Sequence, residues 1–283
     1  MIAIGKINTL TVTDINQLNC TLSDGENQVN LSDTDSSSPL KKGDQLAVFV
    51  YTNKSGQLSA TTKRPYAEAD QFAYLKVVDE NAVGVFMDLG IEKDLFIPKK
   101  EQRWPMVKGK SYVVYIYLDE GNNHLVGSTK IHKFIDRETH PLEEKQEVEL
   151  LIGEETDLGY NAIINNRYIG LLYANEVFED LRVGNKRKGW IKKIYDDGKI
   201  DLSLQEQGYG HILNTKDAIL DKLKKNRGHL ALGDKSSPEE IYQTLKISKK
   251  AFKKAIGALY KERLLTISDE YISLLNADSS SSA

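Results

Sequence analysis

The chain carries two successive hydrophobic patterns. Up to residue 205, short β-rich runs, such as residues 112–117 (Tyr-Val-Val-Tyr-Ile-Tyr), alternate with clusters of Asp, Asn and Gly. Two of these clusters, residues 119–123 (Asp-Glu-Gly-Asn-Asn) and 196–199 (Asp-Asp-Gly-Lys), are typical hairpin connections. From residue 211 the apolar residues recur every three or four positions, which is the period of an α-helix. The pattern predicts a β-rich region followed by a helical module.

Three landmarks recur in the β-rich region with a constant offset of 75 residues: a glycine in a β-rich run, a second glycine 25 residues later, and a serine 19 residues beyond that. They are Gly84, Gly109 and Ser128 in one copy and Gly159, Gly184 and Ser203 in the next. A fainter copy precedes them, with residues 42–44 (Lys-Gly-Asp) and 56–61 as its landmarks. Each unit of about 70 residues is too small for a sandwich, so the repeats predict five-stranded barrels.

The helical module has cap residues at the start of each predicted helix. Thr215 is the predicted cap of the first helix, and residues 237–240 (Ser-Pro-Glu-Glu) form a capping box for the second. Ser248 is the predicted cap of a third helix over residues 249–262. Residues 268–270 (Ser-Asp-Glu) then separate two β-rich runs, which predicts a hairpin. Three helices followed by a hairpin describe a winged helix.

The predicted fold is therefore mainly β with a C-terminal α+β module. Its parts are a degenerate barrel at residues 1–63, barrels at 64–132 and 143–206, a winged helix at 211–275, and a disordered tail at 276–283.

Short motifs in the barrels resemble the S1 RNA-binding domain, a subtype of the oligonucleotide-binding barrel. Residues 170–172 (Gly-Leu-Leu), 183–185 (Val-Gly-Asn) and 197–203 (Asp-Gly-Lys-Ile-Asp-Leu-Ser) carry the resemblance in the third copy. The second copy matches well and the first only faintly. The order of three such barrels and a winged helix resembles the bacterial conserved virulence factor B family. The resemblance includes residues 247–259 of the winged helix, which read Ile-Ser-Lys-Lys-Ala-Phe-Lys-Lys-Ala-Ile-Gly-Ala-Leu. The resemblance implies an RNA-binding protein that acts on gene expression, including virulence genes, after transcription.

The charge of the chain is unevenly distributed. The net charge is −3, yet residues 211–265 hold 13 basic and 6 acidic side chains, whereas residues 1–210 hold 25 and 32. This asymmetry predicts a basic module that meets an anionic partner. The single cysteine excludes an internal disulfide.

Other classes of protein find little support in the sequence. No paired carboxylates with a metal-ligand spacing, phosphate-cradling loop or nucleophile elbow stand out, so we expect no cofactor, no metal and no enzymatic activity. No secretory signal pattern and no membrane-length apolar run occur, which predicts a cytoplasmic protein without membrane contact.

Exposed aromatic rings are the first class of candidate RNA-binding residues, because barrels of this type stack bases on their second and third strands. Phe86 is the candidate in the second copy, with Tyr74 and Trp104 behind it, and Phe96 is assigned to the core. The third copy has Asn161 where S1 domains commonly carry an aromatic, so its candidates are Tyr160, Tyr168 and Tyr173. The first copy, with residues 19–21 (Asn-Cys-Thr) in that strand, is the least favoured binder.

Basic side chains are the second class. In the third copy they are Arg167, Arg182, Lys186, Arg187, Lys188, Lys192 and Lys193, and on the third helix they are Lys249, Lys250, Lys253 and Lys254, with Lys246 beside them. If residues 186–195 form one regular strand, Lys186, Lys188 and Lys192 share a face. The acidic hairpin tip, Asp269 and Glu270, argues against insertion of the tip into a groove.

These residues lead to three hypotheses. The first is binding of single-stranded RNA, mainly by the third barrel and the winged helix, in a monomer. The second is a transcription regulator that binds duplex DNA through the winged helix. The third is a protein-interaction scaffold on the ribosome or RNA polymerase.

Overall fold

The structure, a computed structural model, describes residues 1–16, 20–33, 39–136, 141–177, 180–206, 209–245 and 247–275. The tail at 276–283, together with Asn19 and Lys246, lies outside these ranges. The chain forms two compact units, one comprising residues 1–136 with 166–168 and 183–185, the other the rest of the third barrel and the C-terminal domain. None of the described helices is both long and apolar enough to span a membrane.

The β-rich region forms three closed five-stranded barrels. The first contains β1 (Ile7–Ile15), β2 (Cys20–Ser23), β3 (Gln28–Asp33), β4 (Gln45–Thr52) and β5 (Leu58–Thr61). The second contains β6 (Gln71–Glu80), β7 (Gly84–Met87), β8 (Leu95–Pro98), β9 (Ser111–Asp119) and β10 (His124–Ser128). The third contains β11 (Glu147–Thr156), β12 (Gly159–Ile164), β13 (Tyr168–Tyr173), β14 (Lys186–Ile194) and β15 (Ile200–Ser203).

All three barrels share one topology, which confirms the predicted fold class. The strands are hydrogen-bonded in the order first, second, third, fifth, fourth, and the fourth closes on the first. In every barrel the third and fifth strands pair in parallel. The fourth strand pairs with the first in an antiparallel manner. The long first strand of each barrel shifts register near its middle, at Val12/Asp14, Val77/Asp79 and Ile152/Glu155. Such irregularities bend a strand, which lets one strand pair with two neighbours around a small barrel.

The duplication inferred from the sequence is visible in the elements. β14 begins and ends 75 residues after β9, and the 3-10 helix Ala174–Glu176 follows the 3-10 helix Lys99–Glu101 by the same offset. Gly43, Gly109 and Gly184 all have positive φ, of 94°, 87° and 89°, at the turn before the fourth strand. The landmark glycines therefore fulfil one backbone requirement three times, because glycine adopts positive φ without a steric cost.

The C-terminal domain is a winged helix, as predicted. It contains α1 (Tyr209–Lys225), β16 (His229–Leu230), α2 (Pro238–Leu245), α3 (Lys249–Lys261), β17 (Leu265–Ile267) and β18 (Ile272–Leu274), with the strands in the order β16-β18-β17. The capping box is present: the Glu240 amide donates to Ser237 Oγ, and the Ser237 amide donates to Glu240 Oε2. Ser248 caps α3 by accepting from the Ala251 amide.

One predicted helix start was wrong. α1 begins at Tyr209, so Thr215 lies inside the helix and is not its cap. Thr215, Ile219 and Leu223 follow one another at intervals of four, and each is at most 3% exposed. Thr215 belongs to the stripe of α1 that packs against the domain core. It was predicted as a cap because threonine is favoured at cap positions.

Candidate nucleic-acid interface

The second barrel carries an aromatic pair on its second and third strands. Phe86 on β7 and Phe96 on β8 are cross-strand partners, and their ring centroids are 5.2 Å apart. Both are half-buried, whereas Val85, Met87, Leu95 and Ile97, their neighbours along the strands, are buried. Because side chains alternate across a strand, both rings lie on the outer surface of the barrel.

The assignment of Phe96 to the core was therefore wrong. Its apolar neighbours Leu95 and Ile97 point inward, but Phe96 itself packs over Gly84 at the start of β7. A Cβ atom at Gly84 would come within 2.7 Å of the Phe96 ring and 2.3 Å of the Ile97 carbonyl oxygen. The landmark glycine thus makes room for a ring on the face that oligonucleotide-binding barrels use.

Charges beside this pair are balanced. Asp79 on β6 faces Phe86, and its carboxylate lies 2.9 Å from Lys108 Nζ. The hydrogen bond from Lys108 is the main reason that the pKa of Asp79 is lowered. Further along the same barrel, Trp104 is 43% exposed with the Arg103 guanidinium 4.1 Å from its ring centroid. Tyr74 is 41% exposed, so all three aromatic candidates of this barrel are accessible at least in part.

The third barrel lacks the aromatic pair at the same place. With the offset of 75, Asn161 takes the position of Phe86 and Leu171 that of Phe96, and both are half-buried. Tyr160 is half-buried as well. Tyr168 is only 2% exposed, because it shares the inward parity of Gly170 and Leu172 on β13. Its prediction as a stacking residue was wrong, since a base has no access to a buried ring.

A different aromatic cluster occurs where β13, β14 and β15 meet. Tyr173, at the end of β13, is half-buried with Lys192 Nζ 5.5 Å from its ring centroid. Tyr195, just after β14, is 37% exposed with Lys193 Nζ 4.4 Å from its ring. The Tyr195 hydroxyl donates to Asp201, and this bond chiefly raises the pKa of Tyr195, with smaller contributions from burial and from the nearby Tyr173. Lys199 also lies near Tyr173.

We call Tyr173, Lys192, Lys193 and Tyr195 the lysine–tyrosine cluster. Tyr195 was absent from the sequence-based candidates, although its position directly after two lysines was a usable signal. Proteins hold single-stranded nucleic acid with two features: aromatic rings on which bases stack, and cationic groups that bind phosphates. The cluster combines both, because its lysine ammonium groups lie over half-exposed rings.

The basic strand β14 is not one regular strand, which corrects the predicted pattern of faces. Lys186 and Lys188 are exposed, whereas Gly189 and Ile191, which have the opposite parity in the strand, are buried. The pairing with β15 then shifts register between Ile191 and Lys193, so the alternation stops there. Lys192 consequently does not continue the face of Lys186 and Lys188 by parity, and instead lies over Tyr173.

Several of the predicted basic residues are in ion pairs. The nitrogen–oxygen distances are 2.7 Å for Lys188–Glu147, 2.5 Å for Lys192–Glu176, 2.6 Å for Arg182–Asp180 and 2.8 Å for Arg167–Asp136. The Lys188 and Arg182 side chains nevertheless remain 72% and 75% exposed. Ion pairs of exposed side chains are weak and screened by salt, so a phosphate can replace the carboxylate at Lys188 and Arg182. Lys192 is only 28% exposed, so its pair with Glu176 is less open to such an exchange. Lys186 and Lys193 are exposed, and Arg187 is half-buried.

Helix α3 of the winged helix has the two faces that its sequence predicts. Phe252, Ala255, Ile256 and Leu259 are buried, whereas Lys250, Lys253 and Lys254 are exposed and Lys249 is half-buried. Lys253 forms an ion pair with Asp234 at 3.0 Å. At the wing tip, Asp269 is paired with Lys235 at 2.7 Å, so its charge is compensated within the domain.

Comparisons with known proteins agree with this architecture. Residues 217–274 match the CvfB-like winged helix domain, and residues 4–63 match the S1 domain. Conserved virulence factor B of Staphylococcus haemolyticus is 28% identical over 258 residues, covering 87% of this chain and 85% of the relative. The Staphylococcus aureus protein of the same name is 27% identical, covering 88% and 86%. This confirms the resemblance to the conserved virulence factor B family.

Two further similarities extend over most of the chain. The uncharacterized protein YitL of Bacillus subtilis is 26% identical, covering 91% of this chain and 89% of the relative. A crystal structure from Streptococcus pneumoniae, described as a multidomain protein with nucleic acid binding domains, is 22% identical, covers 96% and 98% of the two chains, and has a TM-score of 0.42.

The matched domains make this conserved virulence factor B-like chain a protein with domains of nucleic-acid-binding type. The S1 match lies on the first barrel, which shows the faintest sequence motifs. Its second strand contains Cys20 and Thr21, both half-buried, in place of an aromatic pair. The backbone of an S1 domain is therefore present in this barrel without the stacking residues of the second.

Proposed function

We propose that the protein binds single-stranded RNA and regulates gene expression after transcription. The observation that carries this proposal is the lysine–tyrosine cluster of the third barrel. Two half-exposed rings there lie beneath the ammonium groups of Lys192 and Lys193, at 5.5 and 4.4 Å from the ring centroids. Stacking requires bases that are not enclosed in a duplex, so this cluster favours a single strand.

The rest of the molecule supports the same ligand. Phe86 and Phe96 provide a second stacking surface, and Lys186 and Lys188 extend the positive charge along β14. The S1 match of the first barrel, whose strand order the other two barrels share, favours RNA over DNA. In this proposal the protein acts in the cytoplasm as a monomer, holds RNA without catalysing a reaction, and needs no cofactor.

Competition binding tests this proposal on the full chain. A labelled single-stranded RNA is bound, and unlabelled single-stranded RNA, single-stranded DNA and duplex DNA of one sequence are added at several salt concentrations. We expect the RNA competitor to act at a concentration at least about tenfold lower than the duplex, and binding to weaken steeply with salt. Equal displacement by duplex DNA would instead favour a transcription regulator that uses α3. Absence of binding to all three would favour a protein-interaction scaffold on the ribosome or RNA polymerase.

A further inference from the structure

The sheet of the winged helix has one face that its own domain leaves uncovered. Leu230, Leu265 and Ile272 point to the helices and are buried. The side chains of the opposite face alternate along the strands with these buried residues, and the face extends to the residues that flank β17 and β18. They are His229 on β16, Leu264 and Thr266 at β17, and Tyr271, Ser273 and Leu275 at β18.

This outer face is largely exposed and carries three large apolar or aromatic side chains. Leu264, Tyr271 and Leu275 are 42%, 44% and 50% exposed. The hydroxyls of Thr266 and Ser273 are 2.8 Å apart, which places both side chains on the same side of the sheet. Within the described domain, its outward positions carry no Asp, Glu, Lys or Arg. Contiguous exposed apolar surface on a small domain indicates a binding site.

An aromatic pair lies on the β16 side of the face. His229 is the cross-strand partner of Ser273, and its ring stacks on Tyr271 with centroids 5.0 Å apart and planes 26° from parallel. Both residues are exposed. Tyrosine and histidine rings are among the side chains on which unpaired RNA bases stack.

Positive charge flanks one end of the face. Arg227 precedes β16 and Arg263 precedes β17, both exposed and both in left-handed turns with φ of 56° and 58°. β16 and β17 are each antiparallel to the central β18, so the two edge strands begin at the same end of the sheet. The arginines therefore mark the end of the face beside Leu275, close to His229 at the start of β16, and Tyr271 lies toward the opposite end. Lys224 and Lys225, in the last turn of α1, add further charge close to Arg227 in the sequence.

We propose that this sheet face is an RNA-binding surface of the winged helix, separate from the lysine face of α3. It stacks an unpaired base on Tyr271 and His229, lays the adjoining bases over the hydroxyls and leucines, and holds the phosphates with Arg227 and Arg263. The inference deepens the proposed function and rests on it, because it assigns the winged helix a single-stranded ligand.

The observations favour RNA over a protein partner as the occupant. A protein interface would be satisfied by the leucines alone, whereas the stacked ring pair and the arginines at the sheet end match the bases and phosphates of one strand. At the acidic wing tip, Asp269 is paired with Lys235 at 2.7 Å, and Glu270 is an exposed negative charge next to Tyr271, so in this proposal the phosphates lie at the arginine end of the face.

The test uses the full chain and a single-stranded RNA of about 12 nucleotides that contains 4-thiouridine. Tyr271→Leu keeps the apolar surface and removes the ring. We expect it to lower RNA affinity about fivefold or more while the melting temperature stays that of the wild type, and to weaken the photocrosslink that the wild type forms at His229. Tyr66→Leu is the matched control, because Tyr66 is an exposed tyrosine, 61% accessible, ahead of the second barrel.

Each alternative outcome has its own meaning. Wild-type affinity and crosslinks in Tyr271→Leu overturn the sheet proposal and leave the proposed function standing. Self-association of the wild type that Leu275→Lys abolishes, with RNA affinity unchanged, identifies the face as a contact between two copies and also overturns it. If the wild-type chain binds no RNA, the proposed function and the sheet proposal fall together.

Discussion

The fourth strands of the second and third barrels occupy the same place in two copies of one fold, yet their sequences are opposite in character. β9 reads Ser-Tyr-Val-Val-Tyr-Ile-Tyr-Leu-Asp, and β14, 75 residues later, reads Lys-Arg-Lys-Gly-Trp-Ile-Lys-Lys-Ile. In β9 the outward Tyr115 and Tyr117 stack against Phe134, with centroids 4.2 and 5.4 Å apart. In β14 the corresponding positions are Trp190 and Lys192, both half-buried, and the exposed cations Lys186, Lys188 and Lys193 lie to either side.

This difference shows that the fold does not require the lysines. Ser111 and Val113 of β9 stand where β14 has Lys186 and Lys188, and both strands close their barrels by the same pairing with the first strand. A solvated strand face needs polarity, but it does not need four lysines and an arginine in eight positions. The excess of charge is therefore better explained by an anionic ligand than by folding.

The second and third strands of the two barrels also differ, but here the second barrel has the residues suited to binding. The second barrel has Phe86 and Phe96 on its outer face, and the third has Asn161 and Leu171. One copy thus offers rings and the other offers charge, with the lysine–tyrosine cluster displaced toward the end of the third barrel. In the proposed function, two barrels of the same topology thus divide two functions that one RNA-binding barrel usually combines.

The largest expected effect concerns what the two barrels share. Gly159 has φ of 145°, and a Cβ atom there would lie 2.0 Å from the Leu172 carbonyl oxygen. We expect Gly159→Ala to lower the free energy of unfolding by about 2–4 kcal/mol, since strain and overpacking add. Thermal denaturation measures this. Gly109→Ala is the control: its φ is also positive, but nothing lies within 4 Å, so we expect a loss of about 1 kcal/mol. A wild-type melting temperature for Gly159→Ala would refute the close approach.

The next prediction removes the charge that distinguishes β14 from β9. We expect replacement of Lys186, Lys188 and Lys192 by Ala to lower RNA affinity at least about tenfold at low salt and to reduce the salt slope by about 2, because fewer counterions are released. Affinity measured against salt concentration tests this. The matched control replaces Lys41, Lys42 and Lys54, three exposed lysines of the first barrel. An unchanged slope in the β14 variant would show that these lysines only solvate the barrel.

A smaller effect is expected for the aromatic face. Phe86→Leu should lower RNA affinity about fivefold, because one stacked base is worth on the order of 1–3 kcal/mol. The reciprocal change Asn161→Phe should raise affinity, because it restores a ring to the equivalent strand of the third barrel. Fluorescence anisotropy measures both. If Phe86→Leu binds like Tyr66→Leu, the second barrel contributes no stacking and the contrast between the barrels is one of charge only.

The smallest effect is a pH dependence within the first unit. Lys93 of the second barrel donates to the Thr52 carbonyl of the first and to His124 Nδ1, the latter at 2.8 Å. Burial, and next the charge of Lys93, lower the pKa of His124 below 6.5. The unfolded chain therefore takes up this proton first, so stability should fall as pH drops below about 6.5. The third barrel has Tyr168 and Lys199 at these two positions.

Thermal denaturation between about pH 8 and pH 5.5 reveals this dependence. His124→Asn, which keeps an acceptor for Lys93 and cannot be protonated in this range, should flatten the decline. A decline of the same size in the variant would assign it to other groups.

The sequence predicted the elements well where local chemistry decides them. The capping box at residues 237–240, the cap at Ser248 and the turn glycines all act within a few residues, so their spacing is enough. The constant offset of 75 residues predicted the duplicated barrels because each copy repeats the same local landmarks in the same order.

The candidate site was less predictable, because it depends on which way each strand residue faces. Phe96 stands in an apolar run, and only the pairing of β7 with β8 places its ring outside. Tyr168 is polar enough for a surface, but the parity of β13 turns it inward. The register shift after Ile191 has no signature in the local sequence. Because of it, Lys192 lies over Tyr173 in the lysine–tyrosine cluster and not on the predicted face with Lys186 and Lys188.

The most direct test of the central claim is a crosslinking map of a short single-stranded RNA on the intact protein, read by mass spectrometry of the peptides. The account predicts that the third barrel is modified at Tyr173 or Tyr195, and that added salt diminishes these crosslinks. Crosslinks confined to the first barrel, or spread without preference over the whole chain, would contradict it.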